Sequence, residues 1–175
     1  MSDATPSDLS APPSARLAEA VSVWGERGVV DRAIALIGGL SAGDDFLLFV
    51  GGTHAKGVLE GAPVLYWPEV WGMRALLTVW DDSAVDAVAS GLQNRAWRVR
   101  EMAARVVAAR SLPLAAALAE LLTDDVPRVR AAAARALGAV GSAAEAEGIR
   151  NLLRDKDIDV RRAAQQGLEA LSSRS

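Results

Sequence analysis

The stretch Leu122–Gly138, LTDDVPRVRAAAARALG, decides the fold. A loop acid, Asp124, stands six positions before an arginine, Arg130, and Val129 precedes that arginine. An alanine-rich run closed by glycine follows. The same arrangement surrounds it twice: Asn94 with Val99 and Arg100, and Asp155 with Val160 and Arg161. The three arginines lie 30 and 31 positions apart. A fixed period of this length marks a solenoid of stacked supersecondary units.

Within each unit the apolar positions have helical spacing. Val129, Ala133, Ala136, Leu137 and Val140 form one stripe. Val99, Ala103, Val106 and Val107 repeat it, as do Val160, Ala164, Gly167, Leu168 and Leu171. The unit reads as helix A, a short loop and helix B. Helices A are expected at about 83–92, 112–122 and 143–153, and helices B at 97–110, 127–140 and 157–171. Ser83-x-x-Asp86 and Ser142-x-x-Glu145 resemble capping boxes, the first being the weaker match. Pro127 suits a first helical turn, and Gly138 and Gly141 mark a helix end.

Upstream, residues 1–14 carry three prolines and no period, and are expected to form a disordered tail. Residues 15–175 then make one domain, with a divergent part over 15–66 and regular repeats over 67–171. Ala15–Trp24 reads as a helix closed by Gly25 and Gly28. A second helix begins near Asp31 and ends at Gly38-Gly39. The run Asp45–Val50 is ambiguous by period alone and is assigned to helix because its neighbours are helical. Trp67–Trp80 is read as helical.

Composition bounds the function. Half the residues are apolar, 51 %, with alanine prominent, which suits closely stacked helices better than a sheet. There is no cysteine and one histidine, so a His- or Cys-rich zinc site cannot be assembled; no metal or cofactor is expected. The N-terminus lacks a secretory pattern and no apolar run reaches bilayer length, so a cytoplasmic location without membrane contact is the default expectation. The net charge of −3 argues against a generic nucleic-acid binder.

The motif Leu-x-Asp-Asp-x-Pro-x-Val-Arg-x-x-Ala-x-x-Ala-Leu-Gly over Leu122–Gly138 closely resembles a HEAT repeat, most of all the short bacterial type also found in phycobilin lyases. The resemblance covers 93–171 well and reaches back to about Trp67. It implies an all-α fold, a right-handed armadillo-like solenoid of stacked helical hairpins. It also implies that loop acids and helix-B arginines pair between neighbouring units. Asn94, Arg100, Asp124, Arg130, Asp155 and Arg161 are then a structural ladder, with Asn94 an uncharged departure at its start.

Three constellations are candidates for function. Arginines and a lysine cluster at the loop-to-B junctions: Arg95, Arg98, Arg100, Arg128, Arg130, Arg154, Lys156, Arg161 and Arg162. They are either a stripe for a phosphate backbone or ladder residues and locally paired surface charges. Five of the eight aromatic residues fall within 66–97, as a recognition patch or as the seal of an end unit. Aligning Val70 with Val99 puts Trp71 where later units carry arginine. The turn Gly51–Gly57 offers Gly52, Thr53, His54 and Lys56 as a weak anion site, or simply a turn and helix start. It lacks a phosphate-binding-loop spacing, and no nucleophile-elbow motif supports catalysis.

The reading adopted is a non-catalytic adaptor that binds a protein on its concave helix-B surface. Trp97, Arg98, Glu101, Arg105, Arg128, Arg135 and Arg162 are expected to face the partner, and the chain is expected to be a monomer or weak homodimer. Nucleic-acid binding through the junction arginines is the first alternative. A lyase- or glycosylase-like enzyme of the same fold is the second.

Overall fold

A computed structural model describes residues 4–174. The described residues are helical, with no strand among them. The chain divides into two compact units, Met1–Ala87 and Val88–Ser175. That division falls some twenty residues after the 66/67 boundary suggested by the onset of repeats, because the helix at 67 packs with the helices before it.

In the first unit, α1 (Pro13–Ile37) breaks at Gly25, whose φ of 71° and ψ of 164° no helix contains. Glycine adopts a positive φ without a Cβ penalty, so the break sits there. The expected second helix is thus the later half of α1, with Gly28 and Asp31 inside it rather than at its start. Helices α2 (Asp44–Gly51) and α3 (Thr53–Leu59) follow, which resolves the ambiguous 45–50 run as helix. Helix α4 (Trp67–Ala75) packs against α1 and α2 and is shorter than the expected 67–80. Phe46, Phe49, Leu17, Leu36, Met73 and Leu76 fill this core.

The tail departs from expectation. Residues 1–3 lie outside the described residues, but 4–12 are tied down where disorder was expected. The backbone N–H and hydroxyl of Ser7 both donate to the Glu19 carboxylate at 2.8 Å. Thr53 donates its backbone N–H to the Leu9 carbonyl at 3.3 Å. The buried Arg16 guanidinium donates to the carbonyls of Leu9 (3.2 Å), Ala11 and Phe49 (2.9 Å). Arg74 donates to Val50 O at 2.7 Å. Two arginines therefore hold carbonyls at the C-terminal end of α2, where a helix leaves acceptors unpaired and favours a positive charge. Burial pushes both guanidinium pKa values below the ordinary arginine value, Arg16 adding its repulsion to Arg74.

The second unit contains the repeats. Helix α5 (Val85–Leu92) enters it after a 3-10 turn, Asp82–Ala84. The Asp81 side chain accepts from Ser83 N at 2.9 Å, so Asp81 caps this turn rather than Ser83. Helices α6 (Trp97–Arg110), α8 (Pro127–Val140) and α10 (Ile158–Arg174) are the B helices, and α8 packs against both α6 and α10. The later A helices, α7 (Ala115–Glu120) and α9 (Ala146–Asn151), are shorter than expected. Each ends in a 3-10 turn, Leu121–Thr123 and Leu152–Arg154. Only half of the expected capping box forms: Ser142 donates its N–H (2.7 Å) and its hydroxyl (2.9 Å) to the Glu145 carboxylate, but the Glu145 N–H goes to the Ser142 carbonyl and α9 starts at Ala146.

Alanine and glycine set the spacing of α8 and α10. A Cβ on Gly138 would come within 2.7 Å of the Gly167 Cα, and one on Gly167 would run into the Ala134 carbonyl. The outward face of α10 is different in kind. One repeat on from the buried Ala131, Ala134 and Gly138 of α8 stand Arg162, Gln165 and Glu169, all exposed, with Gln165 donating to Glu169 at 3.0 Å.

Candidate functional site

Each B helix is preceded by a loop residue that folds its side chain back on the chain. Oδ1 of Asn94, Asp124 and Asp155 accepts the backbone N–H two residues on, at 2.8, 2.9 and 2.9 Å. Such local bonds are why Asn and Asp favour turns. They also fix the other lone pairs of the two carboxylates to point along the stack.

The arginines meet those carboxylates one repeat further on. Arg100 grips Asp124 with Nε at 2.7 Å and Nη2 at 3.0 Å. Arg130 grips Asp155 in the same way at 2.8 and 2.9 Å. The remaining Nη1 of each arginine donates to its own loop: Arg100 to Asn94 O (2.8 Å) and Arg95 O (3.1 Å), Arg130 to Asp124 O (2.7 Å) and Asp125 O (3.3 Å). Arg161 makes the equivalent Nη1 bonds, to Asp155 O at 2.7 Å and Lys156 O at 3.2 Å, and no carboxylate among the described residues meets its fork. Asn94 thus contributes its backbone carbonyl and its turn, while its side chain is no partner of Arg100.

Arg130 and Asp155 are 9 % and 8 % exposed as side chains, so this pair is well shielded from water. The hydrogen bond from Arg130 holds the Asp155 carboxyl below the ordinary range against the opposing effect of burial, and the Arg130 pKa is raised in return. Bidentate pairing of this kind is both strong and geometrically selective.

With two arginines committed inside the stack, other side chains line the open face. A groove of about 330 Å³ is bounded by Glu101, Pro127, Arg128, Ala131, Arg135, Asp157 and Asp159. Arg128 spans from α8 to Glu101 of α6 at 3.1 Å. Arg135 donates to Gln166 of α10 at 2.9 Å, and Arg162 reaches Asp159 at 3.4 Å. Arg105 is exposed. The structure therefore brings Glu101, Arg128 and Arg135 to one groove and puts Arg162 beside its Asp159 edge.

Trp97 opens α6 next to the loop and is partly exposed. Its ring is half-buried and carries the guanidinium groups of Arg98 at 4.3 Å and Arg128 at 5.5 Å. It is a platform that positions arginines, an arrangement favoured by the ring quadrupole. The other aromatics are largely packing. Trp71 is 2 % exposed and stacks with Trp67 at 6.3 Å.

The glycine turn is also put to structural use. Gly52 (φ 59°) joins α2 to α3, and the N–H of Thr53 is spent on Leu9. His54 meets Trp67 and Trp71 edge-on at 4.7 and 5.2 Å, and Lys56 faces Glu60 at 3.8 Å. Gly52, Thr53, His54 and Lys56 are therefore a helix junction, a packing ring and a surface ion pair instead of a converging anion cradle. Sequence reading missed Arg16 and Arg74, whose carbonyl partners no motif announces. The one visible signal was a charged residue, Arg16, beside Leu17 and Ala20 on an apolar helix face.

Comparison with known proteins adds to this geometry. Residues 85–169 match the family model of HEAT repeats. No curated protein matches the chain. Among solved structures, the crystal structure of an engineered protein is similar over 94 % of this chain and 86 % of that one, with 22 % identity and a TM-score of 0.55. At that identity the likeness is one of fold.

Proposed function

Residues 85–169 belong to the HEAT-repeat family, and on that premise we propose that the chain is a scaffold that binds a protein partner through the groove on α6, α8 and α10. The observation that carries the reading is the mixed sign of the groove. Glu101, Asp157 and Asp159 alternate with Arg128 and Arg135 around a floor of Pro127 and Ala131. A phosphate backbone needs uncompensated positive charge. Here Arg100 and Arg130 are neutralised within the stack and Arg128 by Glu101. Alternating charges around an apolar floor suit a protein surface of complementary pattern, where they fix register and exclude wrong partners.

The test compares the wild-type chain with Arg128→Glu/Arg135→Glu in quantitative affinity capture from the native lysate. Both substitutions lie on exposed side chains and leave the ladder intact. A protein retained by the wild type and lost with the variant supports the groove. An unchanged set of captured proteins refutes it. Retention of the wild type on duplex DNA or heparin at about 0.15 M salt, where only strong phosphate contacts survive screening, gives the nucleic-acid alternative instead.

A further inference from the structure

The first unit carries a second surface that the repeats do not explain. The loop after α1 and the loop before α4 enclose a cleft of about 280 Å³, lined by Leu36, Leu40, Leu47, Val64, Leu65 and Glu69 among others. Leu40, Val64 and Leu65 are 67, 48 and 69 % exposed, large aliphatic side chains left in water on two adjacent loops. Leu65 has a φ of 50°, a conformation that costs a leucine backbone energy and recovers none of it through burial. The charged residue in the lining is Glu69, half-buried in the first turn of α4, and no cation among the described residues pairs with it.

We infer that this cleft receives a leucine-sized side chain of a protein partner, presented beside a lysine or arginine that meets Glu69. A volume of about 280 Å³, at the lower edge of the range for ligand sites, has room for one or two aliphatic side chains. Apolar walls call for an apolar group, and an unpaired carboxylate at their edge calls for a cation. The exposed Asp44 at the start of α2 has the same sign and disfavours an anionic lipid surface. This surface is independent of the groove on α8 and α10.

Two peptides test it: an acetylated, amidated Gly-Lys-Leu-Lys-Gly and its counterpart with glutamates for lysines. The readout is the methyl NMR shifts of Leu40 and Val64 as each peptide is titrated through about 1 mM, the range in which so small a ligand saturates. The lysine peptide is expected to bind at least about tenfold more tightly than the glutamate peptide. Glu69→Gln removes that preference. Leu65→Gly abolishes the shifts without lowering the melting temperature, because glycine accepts the positive φ. Equal binding of both peptides, or no saturable shift with either, overturns the inference. So does sedimentation showing a second copy of the chain on the cleft, or quenching of the same methyls by phosphatidylcholine–phosphatidylglycerol vesicles alone.

Discussion

Arg130→Ala is the most direct test of the ladder. The substitution removes a bidentate pair whose side chains are 9 % and 8 % exposed, together with two bonds to the carbonyls of Asp124 and Asp125. It leaves the Asp155 carboxylate shielded from water, with the Asp157 N–H at 2.9 Å as its remaining protein donor. Breaking one side of such a pair costs about 3–5 kcal/mol, because the other charge stays behind uncompensated. For a chain of this size each kcal/mol lowers the melting temperature by about 2–4 °C, so a fall of roughly 6–20 °C is expected by scanning calorimetry. Arg161→Ala is the internal control. It removes the same two carbonyl bonds from a half-exposed side chain and no ion pair, so about 1 kcal/mol is expected. The double variant Arg130→Ala/Asp155→Ala should recover about 2 kcal/mol relative to the sum of its single variants. A melting point for Arg130→Ala within about 1 °C of the parent would refute the reasoning, as would equal losses for Arg130→Ala and Arg161→Ala.

The same pair predicts a pH dependence. The Asp155 carboxyl is lowered by the Arg130 hydrogen bond, so its stabilisation is complete above the ordinary Asp value of about 4 and is lost as pH falls through the lower folded value. Denaturation at a series of pH values should show the gap between parent and Arg130→Ala narrowing below about pH 4. At the α8–α10 crossing, Gly138→Ala and Gly167→Ala should each destabilise by about 1–3 kcal/mol despite alanine's better helix propensity, since the added methyl meets backbone on the facing helix. Equilibrium unfolding in urea checks this. Arg128→Glu should change stability by no more than about 0.5–1 kcal/mol, its partner pair being largely exposed on the arginine side, while removing partner capture. Arg16→Met should release residues 4–12, read as new proteolytic cleavage before Pro13, because the carbonyls of Leu9 and Ala11 lose their shared donor.

What could be read from the sequence was what each residue does locally and repeatedly. The period of Asn94, Asp124 and Asp155 against Arg100, Arg130 and Arg161 encodes a turn and a helix start three times over, and helices α6 and α8 begin and end where that pattern places them. The A helices were harder, since 3-10 turns at Leu121–Thr123 and Leu152–Arg154 continue an apolar pattern that looks α-helical. The order of residues 4–12 is hidden in the sequence for another reason. Arg16 binds backbone carbonyls, and every residue has a carbonyl, so no side-chain pattern marks which ones will be taken. The groove was legible only in part. Glu101, Arg128 and Arg135 follow from their place on the helices, but Asp157 and Asp159 enter it because α10 brings its first turn there, which helix spacing alone does not specify.

The outward side of α10 has a consequence for anyone who would lengthen this array. Packing another hairpin on it would trap Arg162, Gln165 and Glu169, where one repeat earlier Ala131, Ala134 and Gly138 lie buried and the last two let α8 touch Gly167 of α10. The triple change Arg162→Ala, Gln165→Ala and Glu169→Gly would restore that bare strip. It would also turn a non-adhesive surface into a sticky one, with fibres as readily as a longer scaffold for a product.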